Sequence, residues 1–357
     1  MESSVDKSLF IYVKDGLQLF VLVYVDDIII TGSNKEAITR FIAQLGTKFH
    51  LKDLGSLNYF LGVQASRDSN GLHLRQSKHI LDLLHKTGMA GAKPISSPST
   101  FGKKLTAFDG DLLPDPSQYR MAVGALQYCT ISRPDIAYII NQLCQFMHSP
   151  HEGHWTSLKR VLRYLKGTID YGLYYTPSVT ELHAFCDFDW AGNPDDRRSS
   201  SGYGIFLSNN LISWSAKKQS VVSRSSTEAE YRSLALVTAK LYWMIMLFKE
   251  LNITLPKCPI IWFDNIGAFA LASNLVFHAR TKHIEVDYHF LREKVLNKDI
   301  QVKHISIANQ IADVFTKGQT AMRFKFLRSK LMIWLLPISL QGGVRLNTTE
   351  DLSQDLT

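Results

Sequence analysis

The sequence predicts a mixed α/β chain, α+β in its strand pattern, centred on a five-stranded mixed sheet covered by helices. Three observations predict it. Apolar and β-branched runs at 181–188, 202–208 and 211–216 are joined by short turns and read as an antiparallel meander. Strands at 259–264 and 300–305 are separated by helical stretches, so they should add in parallel. A long helical stretch at 226–251, with others near 265–274, 284–297 and 308–317, supplies the cover.

The preceding chain separates into two blocks. In residues 1–65, Leu19-Phe-Val-Leu-Val-Tyr-Val25 and Ile28-Ile-Ile-Thr31 flank Asp26 and Asp27, which reads as a hairpin with acids at its tip. Leu19–Val25 is expected to leave one edge unpaired. Residues 35–48 look helical, with Ile38, Phe41, Ile42 and Leu45 on one face. Residues 66–178 hold a Pro/Ser-rich connector at 93–100 and three helices near 117–130, 134–148 and 152–167. Lys159, Arg160, Arg163 and Lys166 lie off the apolar face of the third helix. They form either a solvated basic face or one that tracks phosphates. Residues 179–320 carry the mixed sheet. Residues 321–357 read as a tail, partly disordered.

Composition narrows the function classes. The 357 residues are 45 % hydrophobic and 20 % charged, which argues against a disordered chain. No apolar run reaches the ~18 residues of a membrane span, and the first residues do not form a signal peptide. Cys129, Cys144, Cys186 and Cys258 form no CxxC pair. An intracellular protein, cytoplasmic or nuclear and not secreted, is therefore expected. The formal charge of +8 fits a polyanionic partner. His148, His151 and His154 have an HxxHxxH spacing, but they flank Pro150 between helices, where a structural role outweighs a zinc site.

Acids inside apolar runs are informative, because burying a charge is costly unless something pairs with it. Asp187 ends a strand, Glu230 sits in the first turns of the long helix, Asp264 ends Ile260-Ile-Trp-Phe263, and Asp313 lies within Ile311-Ala-Asp-Val-Phe315. Converging at one sheet edge, four carboxylates would repel one another unless divalent cations sat between them. All-oxygen ligands select Mg²⁺ or Mn²⁺, and two such ions can hydrolyse a phosphodiester. Each acid also has a plainer reading, as a turn or cap residue. Ser225-Ser-Thr-Glu228 forms a capping box, so Glu228 can serve the cap while Glu230, on the face of Leu234 and Val237, points toward the sheet.

These stretches bring the sequence to a family. Cys186-Asp-Phe-Asp-Trp-Ala-Gly192, Arg197-Arg-Ser-Ser-Ser-Gly-Tyr203, Ile212-Ser-Trp-Ser-Ala-Lys-Lys-Gln219, Ser225-Ser-Thr-Glu-Ala-Glu-Tyr231, Asp264-Asn265, Arg280-Thr-Lys-His-Ile284 and Ala312-Asp-Val-Phe-Thr-Lys317 together resemble the ribonuclease H domain of copia-type LTR retrotransposon Pol polyproteins. Tyr24-Val-Asp-Asp27, Leu51-Lys-Asp-Leu-Gly55 and Tyr59-Phe-Leu-Gly62 resemble the end of the adjoining reverse-transcriptase palm. The middle helices resemble its thumb and connection.

The resemblance implies a ribonuclease H-like fold and two-metal hydrolysis of the RNA strand of RNA–DNA hybrids. It implies two Mg²⁺ or Mn²⁺ ions on Asp187, Glu230, Asp264 and Asp313. His304 stands where related enzymes have a mobile histidine. Arg197, Arg198, Lys217 and Lys218 are the implied nucleic-acid contacts, and Arg280, Lys282 and His283 form a basic cluster that either touches the hybrid or is paired within the protein. Asp26 and Asp27 are the polymerase remnant. Only 25 residues precede Asp26, with no second palm aspartate among them, so no polymerase activity is expected. The rival readings are a decayed copy that at most binds nucleic acid, and a transposase or integrase. The order Asp, Glu, Asp, Asp argues against the latter.

Overall fold

The fold is described from a computed structural model, which covers residues 1–264 and 285–335. The helix expected at 265–274 and the segment beyond 335 lie outside the described residues, as do Arg280, Lys282 and His283.

The chain starts with a three-stranded antiparallel sheet of β1 (Leu9–Lys14), β2 (Leu17–Tyr24) and β3 (Asp27–Gly32). The expected hairpin is β2–β3, with Tyr24 paired to Asp27. The expected unpaired edge on Leu19–Val25 does not exist: β1 occupies it, with Ile11 opposite Phe20. Helix α1 (Lys35–Lys48) follows, capped by the Asn34 side chain, which accepts from the Ala37 N–H at 2.9 Å.

The middle block pairs helices with a second antiparallel sheet. Strands β4 (Tyr59–Phe60), β5 (Val63–Arg67) and β6 (Leu72–Arg75) precede α2 (Ser77–Lys86), α3 (Ser117–Cys129), α4 (Ala137–Cys144), α5 (Glu152–Lys166) and β7 (Tyr171–Tyr175). The helix expected at 134–148 opens as a 3₁₀ turn at Pro134–Ile136 and ends at Cys144. Arg133 and Asp135 are fully buried there as an ion pair of 2.8 Å, and Thr168 accepts two further hydrogen bonds from Arg133. Burying both charges is tolerable because each is paired and hydrogen-bonded. On α5, Arg160 donates to Ser97 Oγ and Arg163 to the Lys93 carbonyl, so part of the basic face holds down the Pro/Ser-rich connector.

The third block builds the expected mixed sheet. Strands β8 (Leu182–Asp189), β9 (Ser200–Leu207) and β10 (Asn210–Lys218) are antiparallel neighbours. Beyond helix α6 (Ser226–Glu250), β11 (Ile260–Phe263) adds parallel to β8. Past α7 (Glu285–Leu296), β12 (Gln301–His304) adds parallel to β11. The order is β10-β9-β8-β11-β12. Ala184, Cys186, Tyr203, Ile205 and Ile261 pack with Leu234, Val237 and Leu241 of α6. Phe185, Phe206 and Leu211 face the other way and share one core with the middle helices. The period-two alternation of β8 thus serves two separate cores.

The helix expected at 308–317 is split into a 3₁₀ turn at Ile307–Asn309 and a short α8 (Asp313–Thr316). Gln310 breaks it. Its backbone is extended, its side-chain amide donates to the Cys186 carbonyl at 3.0 Å, and its side-chain oxygen accepts from Ala312 N–H. The segment read as a tail forms α9 (Ala321–Lys330) and β13 (Ile333–Leu335). Strand β13 pairs antiparallel with β7, which closes the second sheet in the order β13-β7-β6-β5-β4.

Candidate active site

Asp187 lies near the C-terminal end of β8, Asp264 just past β11, and Asp313 at the start of α8. Adjacent parallel strands end on the same side of a sheet, which sets the first two side by side. Asp313 joins them because α8 presses on β9. Gly202 makes that approach possible: it pairs with Asp187 across the strands, and a Cβ there would come within 2.6 Å of Phe315 Cβ. One carboxylate oxygen from each of Asp187, Asp264 and Asp313 lies within 4.8 Å of the others. Asp187 and Asp313 are buried and Asp264 half-buried.

Glu230 is buried on α6 and reaches the cluster electrostatically. Burial and the charge of Asp264 push its carboxyl up to about 7. Glu228 is placed differently. It accepts from the Arg224 N–H at 2.8 Å and pairs with Arg232 at 2.9 Å, while Ser225 Oγ caps the Glu228 N–H. Burial is also the main reason the Asp187 carboxyl rises to about 7. Asp313 and Asp264 push the same way, while Lys317 and a hydrogen bond from Thr316 Oγ1 pull against them.

Two cations enter this acidic site. Lys317 Nζ lies 2.8 Å from Asp313 Oδ1 and 3.3 Å from Asp187 Oδ2. Burial works against the Lys317 charge, but Asp187 and Asp313 outweigh it and hold the ammonium pKa above its ordinary value. Arg323 of α9 lies 3.5 Å from Asp313 Oδ2 and donates to the carbonyls of Ala308, Ile307 and Gln310. In the sequence, Thr316 and Lys317 stand out only as part of the Ala312–Lys317 stretch and carry no role, and Arg323 and Gln310 do not stand out at all. The i,i+4 spacing of Asp313 and Lys317 was the available signal for the lysine.

His304 is exposed at the end of β12, paired with Phe263, the residue before Asp264. Arg197 is exposed in a turn with φ of 60°, and Lys217 is exposed on β10. Arg198 and Lys218 are occupied within the protein. Both pair with Asp196, at 3.5 and 2.7 Å, and Lys218 also donates to Gln145. Asp26 and Asp27 sit at the exposed β2–β3 turn. Among the described residues, the Asp187–Asp264–Asp313 group is the one set of three or more His, Cys, Asp or Glu side chains with converging ligand atoms. The ring nitrogens of the histidine triplet are not among these converging ligand atoms. His154 takes the His151 N–H on Nδ1, donates from Nε2 to the Thr106 carbonyl at 2.8 Å and stacks on Phe146.

The cluster's chemistry fits a hard cation. Its donors are carboxylate oxygens, and a positive charge already bridges Asp187 and Asp313. Comparison with known proteins assigns the chain. Residues 2–100 match the reverse transcriptase (RNA-dependent DNA polymerase) family. The Retrovirus-related Pol polyprotein from transposon RE2 of Arabidopsis thaliana is 45 % identical over 96 % of this chain. The uncharacterized mitochondrial protein AtMg00810 of the same plant is 49 % identical over 63 % of this chain and 94 % of its own length. The chain belongs to the copia-type retrotransposon Pol family. It spans 24 % of the RE2 polyprotein, about a quarter. A ribonuclease H1 from Halobacterium salinarum aligns with 38 % of this chain and 94 % of its own, at 12 % identity and a TM-score of 0.27. In this Pol chain the acids lie on a mixed five-stranded sheet of order β10-β9-β8-β11-β12 and the helices beside it.

Proposed function

We propose that this Pol chain hydrolyses the RNA strand of RNA–DNA hybrids at the Asp187 cluster and does not polymerise. The observation that carries the reading is the convergence of three carboxylates, Asp187, Asp264 and Asp313, from three separate elements. Asp187, Glu230, Asp264 and Asp313 would hold two Mg²⁺ or Mn²⁺ ions. Bound there, such ions activate a water and stabilise the leaving oxygen of a phosphodiester. The chain's own residues do the rest. Gln310 and Gly202 hold Asp187 and Asp313 together. His304 is exposed one strand over from Asp264, on the side of the sheet where the acids converge. Exposed Arg197 and Lys217 take phosphate contacts, so affinity should fall steeply with salt. Recognition should be of an A-like duplex carrying 2′-hydroxyls on one strand.

Polymerisation needs two metals held between aspartates on separate palm strands. Asp26 and Asp27 share one turn, and no third ligand joins them among the described residues. The test is incubation of the purified chain with a labelled RNA–DNA hybrid and Mg²⁺, against single-stranded RNA and duplex RNA. Hybrid cleavage that disappears in Asp264→Asn is expected. Equal cleavage of hybrid and duplex RNA would overturn the proposal.

A further inference from the structure

Two cations reach the acidic cluster, and they are held in different ways. Arg323 is pinned: three backbone carbonyls accept from its guanidinium while it faces Asp313 at 3.5 Å. The partners of the Lys317 ammonium among the described residues are carboxylates, Asp313 at 2.8 Å and Asp187 at 3.3 Å. It follows the last residue of α8, on a long flexible stem, and its side chain is 44 % exposed. An ammonium on such a stem is a point charge that can swing into water. Arg323 has no such freedom.

The oxygens Lys317 bridges are on Asp187 and Asp313, two of the three residues whose ligand atoms converge. A divalent ion shared by those carboxylates and the ammonium would repel each other, so both cannot occupy the bridge. We propose that Lys317 is a built-in counterion of the cluster. It neutralises Asp187 and Asp313 before metal arrives and leaves when a divalent cation takes the bridge, which raises the metal concentration the site requires. This inference rests on the reading of the cluster as a metal site. Arg323 remains in place through the exchange and keeps Asp313 aimed inward.

The experiment uses the full chain, stripped with chelator, and Mn²⁺ alone, with no nucleic acid. Free Mn²⁺ is followed by electron paramagnetic resonance, and melting is followed in parallel. Lys317→Met keeps the stem and loses the charge; Lys317→Gln repeats the loss with a neutral donor; Lys317→Arg keeps a cation. The neutral variants should take up Mn²⁺ at about tenfold lower concentration, the change expected from deleting one charge-assisted competitor. They should melt lower than wild type in chelator and gain more on Mn²⁺ addition. Lys317→Arg should stay near wild type. If wild type binds Mn²⁺, Asp187→Asn does not, and the neutral variants bind no tighter than wild type, the counterion role is wrong and the metal reading stands. If neither wild type nor the neutral variants take up Mn²⁺, both are wrong.

Discussion

Asp187→Asn should trade cleavage for stability. Asp187 is 3 % exposed, and its carboxyl pKa rises from 3.8 to about 7, chiefly through burial. A rise of that size corresponds to about 4 kcal/mol against the charged form. At pH 8 the folded, metal-free protein carries most of that cost, and a neutral amide of the same shape does not. Lys317 loses one partner but keeps Asp313 at 2.8 Å. The net gain should therefore be about 2–4 kcal/mol in chelator. Each kcal/mol moves the melting temperature of a domain of 150–250 residues by about 2–4 °C, so the shift is easily read in a thermal melt at pH 8. The same change removes a charged ligand that would hold metal. Hybrid cleavage should fall at least about a thousandfold, equivalent to about 4 kcal/mol of transition-state stabilisation. A variant that melts lower than wild type in chelator would refute the burial argument. One that still cleaves would refute the ligand assignment.

The stability gap between Asp187→Asn and wild type should also depend on pH. A folded pKa of about 7, above the unfolded value, means the folded state keeps a proton that the unfolded chain has shed. This contribution is fully present below about pH 4 and lost as pH rises through 7; melts in chelator from pH 5 to 8 should show the gap widening, and a constant gap would contradict it. Glu230→Gln should remove most cleavage, whereas Glu228→Gln should cost only about 1 kcal/mol of stability through a weakened cap; the reverse pattern in paired assays would exchange their roles. Gly202→Val should separate α8 from β9 and reduce cleavage with the sheet still formed, read by circular dichroism beside activity. Primer extension on poly(rA)/oligo(dT) should give no incorporation above background, and incorporation lost in Asp26→Asn would show that another ligand completes a polymerase site.

The sheet was legible in the sequence because its strands are short apolar runs with clear punctuation, and α6 because it is long and capped at Ser225. Asp187 and Asp313 stood out as charges inside apolar runs. The break at Gln310 was not legible, because its cause is a hydrogen bond to Cys186, a tertiary contact without local trace. The same holds for β7 with β13, and for β1 as the second neighbour of β2. Arg323 was hidden by the reading of its segment as a tail, since its role appears only when α9 comes back to Asp313.

The two-sided packing of β8 and β9 has a practical consequence for anyone wishing to express the mixed five-stranded sheet alone. Phe185, Phe206 and Leu211 are covered by the middle helices, not by α6. A fragment cut at 179 and 320 would carry that face bare into water. It would also lose Arg323 and β13, whose partner β7 lies on the other side of the first cut. Such a piece is expected to aggregate, as exposed apolar faces do. The smallest soluble piece should begin before β4, ahead of residue 59, so that the β13-β7-β6-β5-β4 sheet stays whole, and run through β13. Solubility trials of a nested series of N-terminal deletions would locate that boundary.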